Sequence, residues 1–166
     1  SRGLGDVYKR QDYICSRSLN QFNQNVMINR ELINPQSIVV VGGSNNVHKP
    51  GGRLVRNLLD GKYKGELYVV NAKEDDVQGL KSYHSVHDIP ETELAIISIP
   101  GPACPEAVDV LAKQKNVKAF IVISAGFGEE THEGAILEEQ MLKSINEAGA
   151  SLIGPNCIGL MNMHYH

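Results

Sequence analysis

Cysteine is scarce in this 166-residue chain, which has only Cys15, Cys104 and Cys157, far apart and odd in number. This spacing offers neither a disulfide framework nor a set of zinc ligands, and it predicts reduced thiols. No apolar run approaches the roughly 20 residues that span a bilayer, and no secretory signal is recognisable. The chain also lacks a basic run, and its formal net charge is −3, so neither nucleic acid nor an anionic membrane is an expected partner. These absences favour a cytoplasmic protein.

The length suits one domain with a single core, but the first residues differ from the rest. We expect residues 1–26 to be a non-native or disordered leader, because Ser1–Gln11 resembles a translated sequencing adapter and Asp12–Val26 is polar without a sustained period. Met27 is the expected native start. Residues 27–166 are expected to form one domain, the N-terminal fragment of a longer protein.

The most informative segment is Ser37–Arg53, whose sequence is SIVVVGGSNNVHKPGGR. Its β-branched run predicts a strand buried on both faces, and Gly42-Gly43 allows a tight turn close to a ligand. Gly51-Gly52 begins an amphipathic helix, where free N–H groups and the helix dipole favour an anion, most often a phosphate. The glycine spacing differs from the dinucleotide pattern G-x-G-x-x-G, so the segment predicts a phosphate or nucleotide site more than an NAD site.

Strand and helix patterns alternate after Ser37, with apolar runs for strands and amphipathic stripes for helices. The predicted strands are Ile38–Val41, Glu66–Val70, Leu94–Ile99, Ala119–Ile123 and Ser151–Ile153. Helices are predicted after Gly51, over Pro105–Lys113 and over Gly134–Ala148, the last with Ile136, Leu137, Met141, Leu142 and Ile145 facing the core. This order predicts an α/β fold with a Rossmann-like, doubly wound parallel sheet in a single three-layer domain.

Four of the predicted strands end in polar or glycine-rich loops that are expected to meet in one crevice. These loops are Gly42–Gly52, Asn71–Lys73, Pro100–Pro102 and Ser124–Gly128. Lys73 follows the second strand, where a cation suits the phosphorylated ribose of coenzyme A or of NADP; a solvated loop lysine is the alternative. An NAD site would have an acidic residue there, whereas this chain has Asn71.

Five segments together resemble one family: VVVGGSNN, YVVNAK, SIPGPACPE, VISAGFGE and LIGPNCIGL. In order and spacing they are similar to the CoA-binding domain of NDP-forming acyl-CoA synthetases. That family includes ADP-forming acetate-CoA ligase and, more distantly, the α subunit of succinyl-CoA synthetase. The resemblance spans about residues 32–162, and its most specific feature is SAGFGE followed by GPNCIG.

The resemblance implies coenzyme A as the cofactor and gives roles to particular residues. The CoA phosphates would be received by a loop and helix start formed by Gly43, Ser44, Asn45, Asn46, Gly51, Gly52 and Arg53. Lys73 would reach the nucleotide end, and Pro100 would line the cofactor. The pantetheine arm would pass along Ser124, Ala125 and Gly126, and Asn156 would approach the thiol end and the family's phosphohistidine.

The resemblance also implies the activity of a complete family member, which converts acyl-CoA, ADP and phosphate reversibly to an acid, CoA and ATP. The phosphohistidine domain and the ATP-grasp module lie in other domains or subunits, which are expected partners. This chain is therefore expected to hold CoA or acyl-CoA and to be inactive alone, with no catalytic or metal-binding residue. Its histidines lack metal-ligand spacing, and Cys157 has no identifiable base. The alternative is a CoA- or nucleotide-sensing module, stand-alone or fused to a protein acetyltransferase.

Overall fold

The computed structural model describes residues 28–160. The leader expected at residues 1–26, the start expected at Met27 and the residues from 161 onward lie outside this range. The strands are β1 (Ser37–Val41), β2 (Glu66–Val70), β3 (Asp76–Val77), β4 (Leu80–Tyr83), β5 (Leu94–Ile97), β6 (Ala119–Val122) and β7 (Ser151–Ile153). The helices are α1 (Arg30–Ile33), α2 (Pro50–Asp60), α3 (Cys104–Gln114) and α4 (His132–Glu147), and a 3-10 turn at Gly101–Ala103 precedes α3. From residue 28 to 160, no helix combines the length and apolar character needed to cross a membrane.

The strands of residues 28–160 form one sheet in the order β3-β4-β2-β1-β5-β6-β7. Strand β1 lies between β2 and β5 and pairs with both in parallel. Strands β4, β6 and β7 continue the parallel arrangement, whereas β3 pairs antiparallel with β4. The chain runs from β1 to β2 on one side and later crosses to β5 on the other, which places a topological switch point between β1 and β5. The predicted doubly wound α/β sheet is confirmed.

Helices cover both faces of the sheet because its central strands are apolar on both sides. Val39 of β1 packs in one core with Val108 of α3 and Met141 of α4. Val40, the next residue, packs in a second core with Val55 of α2. Consecutive side chains of a strand point to opposite faces, so these two cores give the helix–sheet–helix layers expected from the sequence.

One residue expected in the core faces away from it. Helix α4 begins at His132, before the predicted start, because the Thr131 hydroxyl caps it by accepting a hydrogen bond from the Gly134 N–H at 2.9 Å. Ile136 is 45% exposed, so the prediction that it faces the core is wrong. Met141 is fully buried and sets the buried stripe, and Ile136 lies about 140° around the helix from it.

The sequence patterns missed a small hairpin, formed by β3 and β4. Within these two strands, Val77 and Ser82 are the buried residues, so neither strand has an apolar run that could signal it. The connecting residues Gln78 and Gly79 have φ angles of 54° and 86°. Two positive φ angles in a two-residue loop characterise the type I′ turn, which matches the twist of the strands it joins. The hairpin extends the sheet beyond β2, on the side where α2 begins.

Candidate functional site

The glycines after β1 let helix α2 begin directly against the edge of the sheet. Gly42 has a φ of 90°, and a Cβ on it would overlap the Ser98 carbonyl oxygen at the end of β5. A Cβ on Gly51 would overlap the Gly42 carbonyl oxygen, and one on Gly52 would overlap that of Asn46. All of these neighbours are backbone atoms, which cannot swing aside. Glycine is therefore required at these positions, and it brings the first turn of α2 to the switch point between β1 and β5.

The first turn of α2 presents unpaired backbone donors. Lys49 precedes the helix without a side-chain capping bond, and Pro50 has no N–H. The N–H groups of Gly51 and Gly52 have no hydrogen-bond partner among residues 28–160, whereas the Arg53 N–H donates to the Lys49 carbonyl at 3.0 Å. The Arg53 side chain is exposed. Two free donors, the helix dipole and a guanidinium at one place suit a bound anion.

Two polar side chains between the glycine pairs form hydrogen bonds within their own loop. The Ser44 hydroxyl accepts from the Asn46 N–H at 3.1 Å, and the Asn46 Oδ1 accepts from the His48 N–H at 2.9 Å. Both residues were predicted to receive phosphate. In this structure the acceptor atoms of both side chains set the path of the loop, and the backbone N–H groups of Gly51 and Gly52 at its end are free donors.

Asn45 connects the same loop to the β3–β4 hairpin. Its Nδ2 donates to Glu74 Oε2 at 2.6 Å and to the Asp76 carbonyl at 2.8 Å. Its Oδ1 accepts from the Gln78 N–H at 2.7 Å. The hairpin that sequence patterns missed therefore supports the glycine-rich loop from the side of β2.

Asn71 joins the end of β2 to the turn after β1. Its Nδ2 donates to the Gly43 carbonyl at 2.7 Å, and its Oδ1 accepts from the N–H groups of Lys73 and Glu74 at 2.9 and 3.1 Å. Every polar atom of the side chain is thus used within the protein. The sequence indicated that Asn71 replaces the acid of an NAD site, but it did not indicate this structural role.

Lys73 lies at the crevice with its charge available. Its side chain is exposed, and no ion pair links it to another described residue. The neighbouring carboxylates have other partners: Glu74 accepts from Asn45 at 2.6 Å, and Asp75 Oδ1 lies 2.9 Å from His84 Nε2. An exposed cation after β2 without an ion pair in the described range suits the expected contact with a phosphorylated ribose, and the adjacent Glu74 and Asp75 partly offset its charge.

The loops after β5, β6 and β7 are joined through Ser124, by its side chain to the loop after β5 and by its backbone to the loop after β7. Its hydroxyl donates to the Ile99 carbonyl at 2.6 Å and accepts from the Ile99 N–H at 3.2 Å. The Asn156 N–H donates to the Ser124 carbonyl at 3.0 Å. Pro100 follows Ile99, and Ala125 and Gly126 follow Ser124, so these bonds tie the three segments to one another. The predicted residues of this half of the site therefore lie together at the carboxyl edge of the sheet.

The Gly126 turn has internal contacts of its own. Gly126 has a φ of 94°, and its N–H donates to Glu129 Oε1 at 3.1 Å. A Cβ on Gly101, at the start of the 3-10 turn, would lie 3.2 Å from the Ala125 carbonyl oxygen. The two loops therefore pack closely at the backbone level.

The two cysteines of the described range are bound to backbone carbonyls. Cys104 is buried, its Sγ lies 3.6 Å from the Pro100 carbonyl, and burial raises the pKa of its thiol. Cys157 is partly buried and donates to the Val122 carbonyl at 3.3 Å. Between residues 28 and 160, no group of three or more His, Cys, Asp or Glu residues is arranged to hold a metal ion.

The described geometry defines a doubly wound, Rossmann-like α/β domain with an anion-suited helix start at its switch point. The chain belongs to the CoA binding domain family, which matches residues 36–163. This membership confirms the family resemblance and coenzyme A as the cofactor.

Relatives of known identity agree with the family. The chain is 41% identical over 133 residues to the α subunit of ADP-forming acetate–CoA ligase II of Pyrococcus furiosus, covering 79% of this chain and 28% of the relative. It is 37% identical over 162 residues to ADP-forming acetate–CoA ligase II of Archaeoglobus fulgidus, covering 94% of this chain and 24% of the relative. The chain thus spans about a quarter of the length of these curated relatives.

Solved structures show the same architecture. A crystal structure of a Pyrococcus horikoshii OT3 protein is 41% identical with a TM-score of 0.75, over 82% of this chain and 31% of that chain. An acetyl-coenzyme A synthetase of Ca. Korarchaeum cryptofilum, solved with phosphate and ADP, is 36% identical with a TM-score of 0.72, over 78% of this chain and 28% of that chain. The α/β fold expected from the sequence is therefore shared with both solved structures, one of which is an acetyl-coenzyme A synthetase.

Proposed function

We propose that this chain is the CoA-holding domain of an ADP-forming acyl-CoA ligase. The complete enzyme would convert acyl-CoA, ADP and phosphate reversibly to a carboxylic acid, CoA and ATP. The proposal is supported by similarity to two ADP-forming acetate–CoA ligases at 41% and 37% identity. The domain would comprise residues 27–166, preceded by a leader, and a cytoplasmic location stays a prediction.

One observation carries the placement of the cofactor: the unpaired N–H groups of Gly51 and Gly52 lie beside Arg53 at the switch point. The diphosphate of CoA would bind there, because two amide donors, a helix dipole and a guanidinium stabilise a doubly charged group together. Lys73 would contact the 3′-phosphate of the ribose. The pantetheine arm would then run along Pro100, Ser124–Gly126 and Asn156, in the direction of the reacting thiol.

The contribution of this domain to the reaction would be positioning. Its thiols are bound to backbone carbonyls, and the acyl phosphate would be formed elsewhere, on the phosphohistidine domain and the ATP-grasp module. Holding CoA so that its sulfur meets that acyl phosphate makes the encounter effectively intramolecular, which accelerates the reaction without any acid or base from this chain.

A second candidate is a CoA-sensing module, stand-alone or fused to a protein acetyltransferase. A conserved hypothetical protein of Pyrococcus furiosus shares the fold with a TM-score of 0.54 and 24% identity over 90% of that chain, so this fold occurs in a protein with little added to it. ATP-dependent histidine phosphorylation of the complete protein separates the two candidates. The ligase needs a phosphohistidine partner, and the sensor does not.

Nuclear magnetic resonance of the labelled chain with added CoA tests the placement. We expect the largest shifts at the amides of Gly51 and Gly52, with a second group at Ser124–Gly126. In the complete protein, Arg53→Ala should raise the KM for CoA and leave ATP-dependent histidine phosphorylation unchanged. Shifts confined to the opposite edge of the sheet, near Gly65, would contradict the placement.

A further inference from the structure

Gln78, in the turn of the β3–β4 hairpin, reaches across to the glycine-rich loop. Its Nε2 donates to the Ser44 carbonyl at 2.8 Å and to the Gly52 carbonyl at 2.8 Å. Carbonyl oxygens accept and never donate, so both contacts require the amide NH2 to face the loop. One side chain thus connects the beginning of the loop to the first turn of α2.

The backbone conformation of Gln78 favours glycine, so the side-chain hydrogen bonds account for the presence of glutamine at this position. Its φ is 54°, in the left-handed region where glycine is free of strain and glutamine is not. The Gln78 Oε1 is also buried without a hydrogen-bond partner among residues 28–160, which is unfavourable. A glycine would avoid both costs, and the bonds to Ser44 and Gly52 are what it would lose.

Those bonds hold the segment that carries the free donors. The Gly52 carbonyl belongs to the same turn of α2 as the N–H groups of Gly51 and Gly52, and the Ser44 carbonyl lies where the loop leaves β1. The Gln78 N–H adds a third bond, to Asn45 Oδ1 at 2.7 Å. The hairpin therefore fixes the loop at its beginning, at its second polar residue and at its end.

We propose that Gln78 is a positioning residue for coenzyme A, which holds the start of α2 so that the Gly51 and Gly52 N–H groups converge on the diphosphate. This inference rests on the proposed function. Gln78 itself touches protein atoms and is not a catalytic residue. Because it acts on the diphosphate contacts, its loss should weaken CoA and dephospho-CoA by the same factor.

The test uses Gln78→Gly, which deletes the side chain and keeps the left-handed backbone. Asn116→Gly is the matched control, since Asn116 has a φ of 56°, is exposed and precedes β6 at the opposite edge of the sheet. We expect Gln78→Gly to weaken CoA binding about tenfold, as for the loss of two hydrogen bonds, and Asn116→Gly to bind like the wild type. Gln78→Glu, with an acceptor where a donor is needed, should weaken binding further.

Amide resonances provide a readout that general destabilisation would not give. In the ligand-free Gln78→Gly variant, the Gly51 and Gly52 amides should shift, and the ratio of CoA to dephospho-CoA affinity should stay at the wild-type value. Affinity within twofold of the wild type, or lost affinity with unshifted Gly51 and Gly52 amides, would overturn the inference while leaving the proposed function intact. If CoA fails to shift these amides in the wild type, the proposed phosphate placement itself fails.

Discussion

The Asn71 side chain donates a hydrogen bond from Nδ2 to the Gly43 carbonyl at 2.7 Å, across the ends of the neighbouring strands β2 and β1. Its Oδ1 accepts from the N–H groups of Lys73 and Glu74. A carboxylate at this position could accept those two bonds but could not donate to Gly43. The residue that departs from the NAD pattern therefore helps to hold the glycine turn against the second strand, together with the backbone bond from the Gly42 N–H to the Val70 carbonyl.

Asn71→Asp should destabilise the fold, because it replaces a donated hydrogen bond with a carboxylate facing a carbonyl. We expect a loss of about 1–3 kcal/mol in the free energy of unfolding, measured with urea, and weaker CoA binding without any gain in NAD binding. Asn116→Asp makes the same change at an exposed site at the other edge of the sheet and should cost less than about 0.5 kcal/mol. Equal stability of the two variants would contradict the assigned role.

Arg53→Ala should weaken CoA binding by about 1–3 kcal/mol, the range of a charge-assisted hydrogen bond to a phosphate. Arg56→Ala is the control, since Arg56 is exposed one turn further along α2 and pairs with Asp60 at 3.7 Å. Calorimetry should find the control within the error of the wild type. If both arginine variants lose the same affinity, Arg53 contributes general charge and not a specific contact.

Lys73→Ala should narrow the difference in affinity between CoA and dephospho-CoA, because only CoA carries the 3′-phosphate that this cation is expected to contact. Lys64→Ala removes the same charge just before β2, at the opposite edge, and should preserve the difference. Both ligands are titrated into each variant by calorimetry. If the wild-type protein binds CoA and dephospho-CoA equally, Lys73 does not contact the 3′-phosphate.

Asp109 should give the fold a pH-dependent contribution away from the site. It pairs with Lys113 and accepts from the Ser144 hydroxyl at 2.6 Å, and these contacts lower its pKa. A lowered folded pKa means that the ionised group stabilises the fold above the unfolded value of about 3.9, and that this contribution is lost as the pH falls through the folded value. In urea unfolding, Asp109→Asn should be less stable than the wild type at pH 7, and the gap should close below about pH 4. A gap that stays constant between pH 7 and about pH 3 would contradict this.

The regular part of the fold could be predicted because its strands are short apolar runs and its helices have clear stripes. The predicted strand Glu66–Val70 coincides with β2, and the predicted Ile38–Val41 differs from β1 by one residue at its start. Strand β5 ends at Ile97, before the predicted Ile99, because the Ile99 backbone bonds to Ser124 at the site. At Ile99 a hydrogen bond to a distant side chain takes the place of pairing in the sheet. Because the partner is distant in sequence, no local pattern indicates where the strand ends.

The site could be predicted as a set of loops, because the carboxyl ends of parallel strands share one edge. The hydrogen bonds that connect these loops could not be predicted. Gln78 lies 26 residues beyond Gly52, and its turn lacks the Asn-Gly or Asp-Gly pair that marks a tight hairpin. For the polar residues between the glycines, phosphate contacts are an expectation that the family resemblance implies. The structure shows what their side chains bond to within the protein, which sequence spacing does not contain.

Calorimetric titration of the chain with CoA and, separately, with NAD tests the central claim most directly. We expect saturable binding of CoA and clearly weaker or no binding of NAD. The free N–H groups of Gly51 and Gly52 and the cations Arg53 and Lys73 suit the phosphates of CoA, and Asn71 stands where an NAD site has an acid. Equal affinity for the two ligands, or no binding of either, would contradict the account of this domain as a holder of coenzyme A.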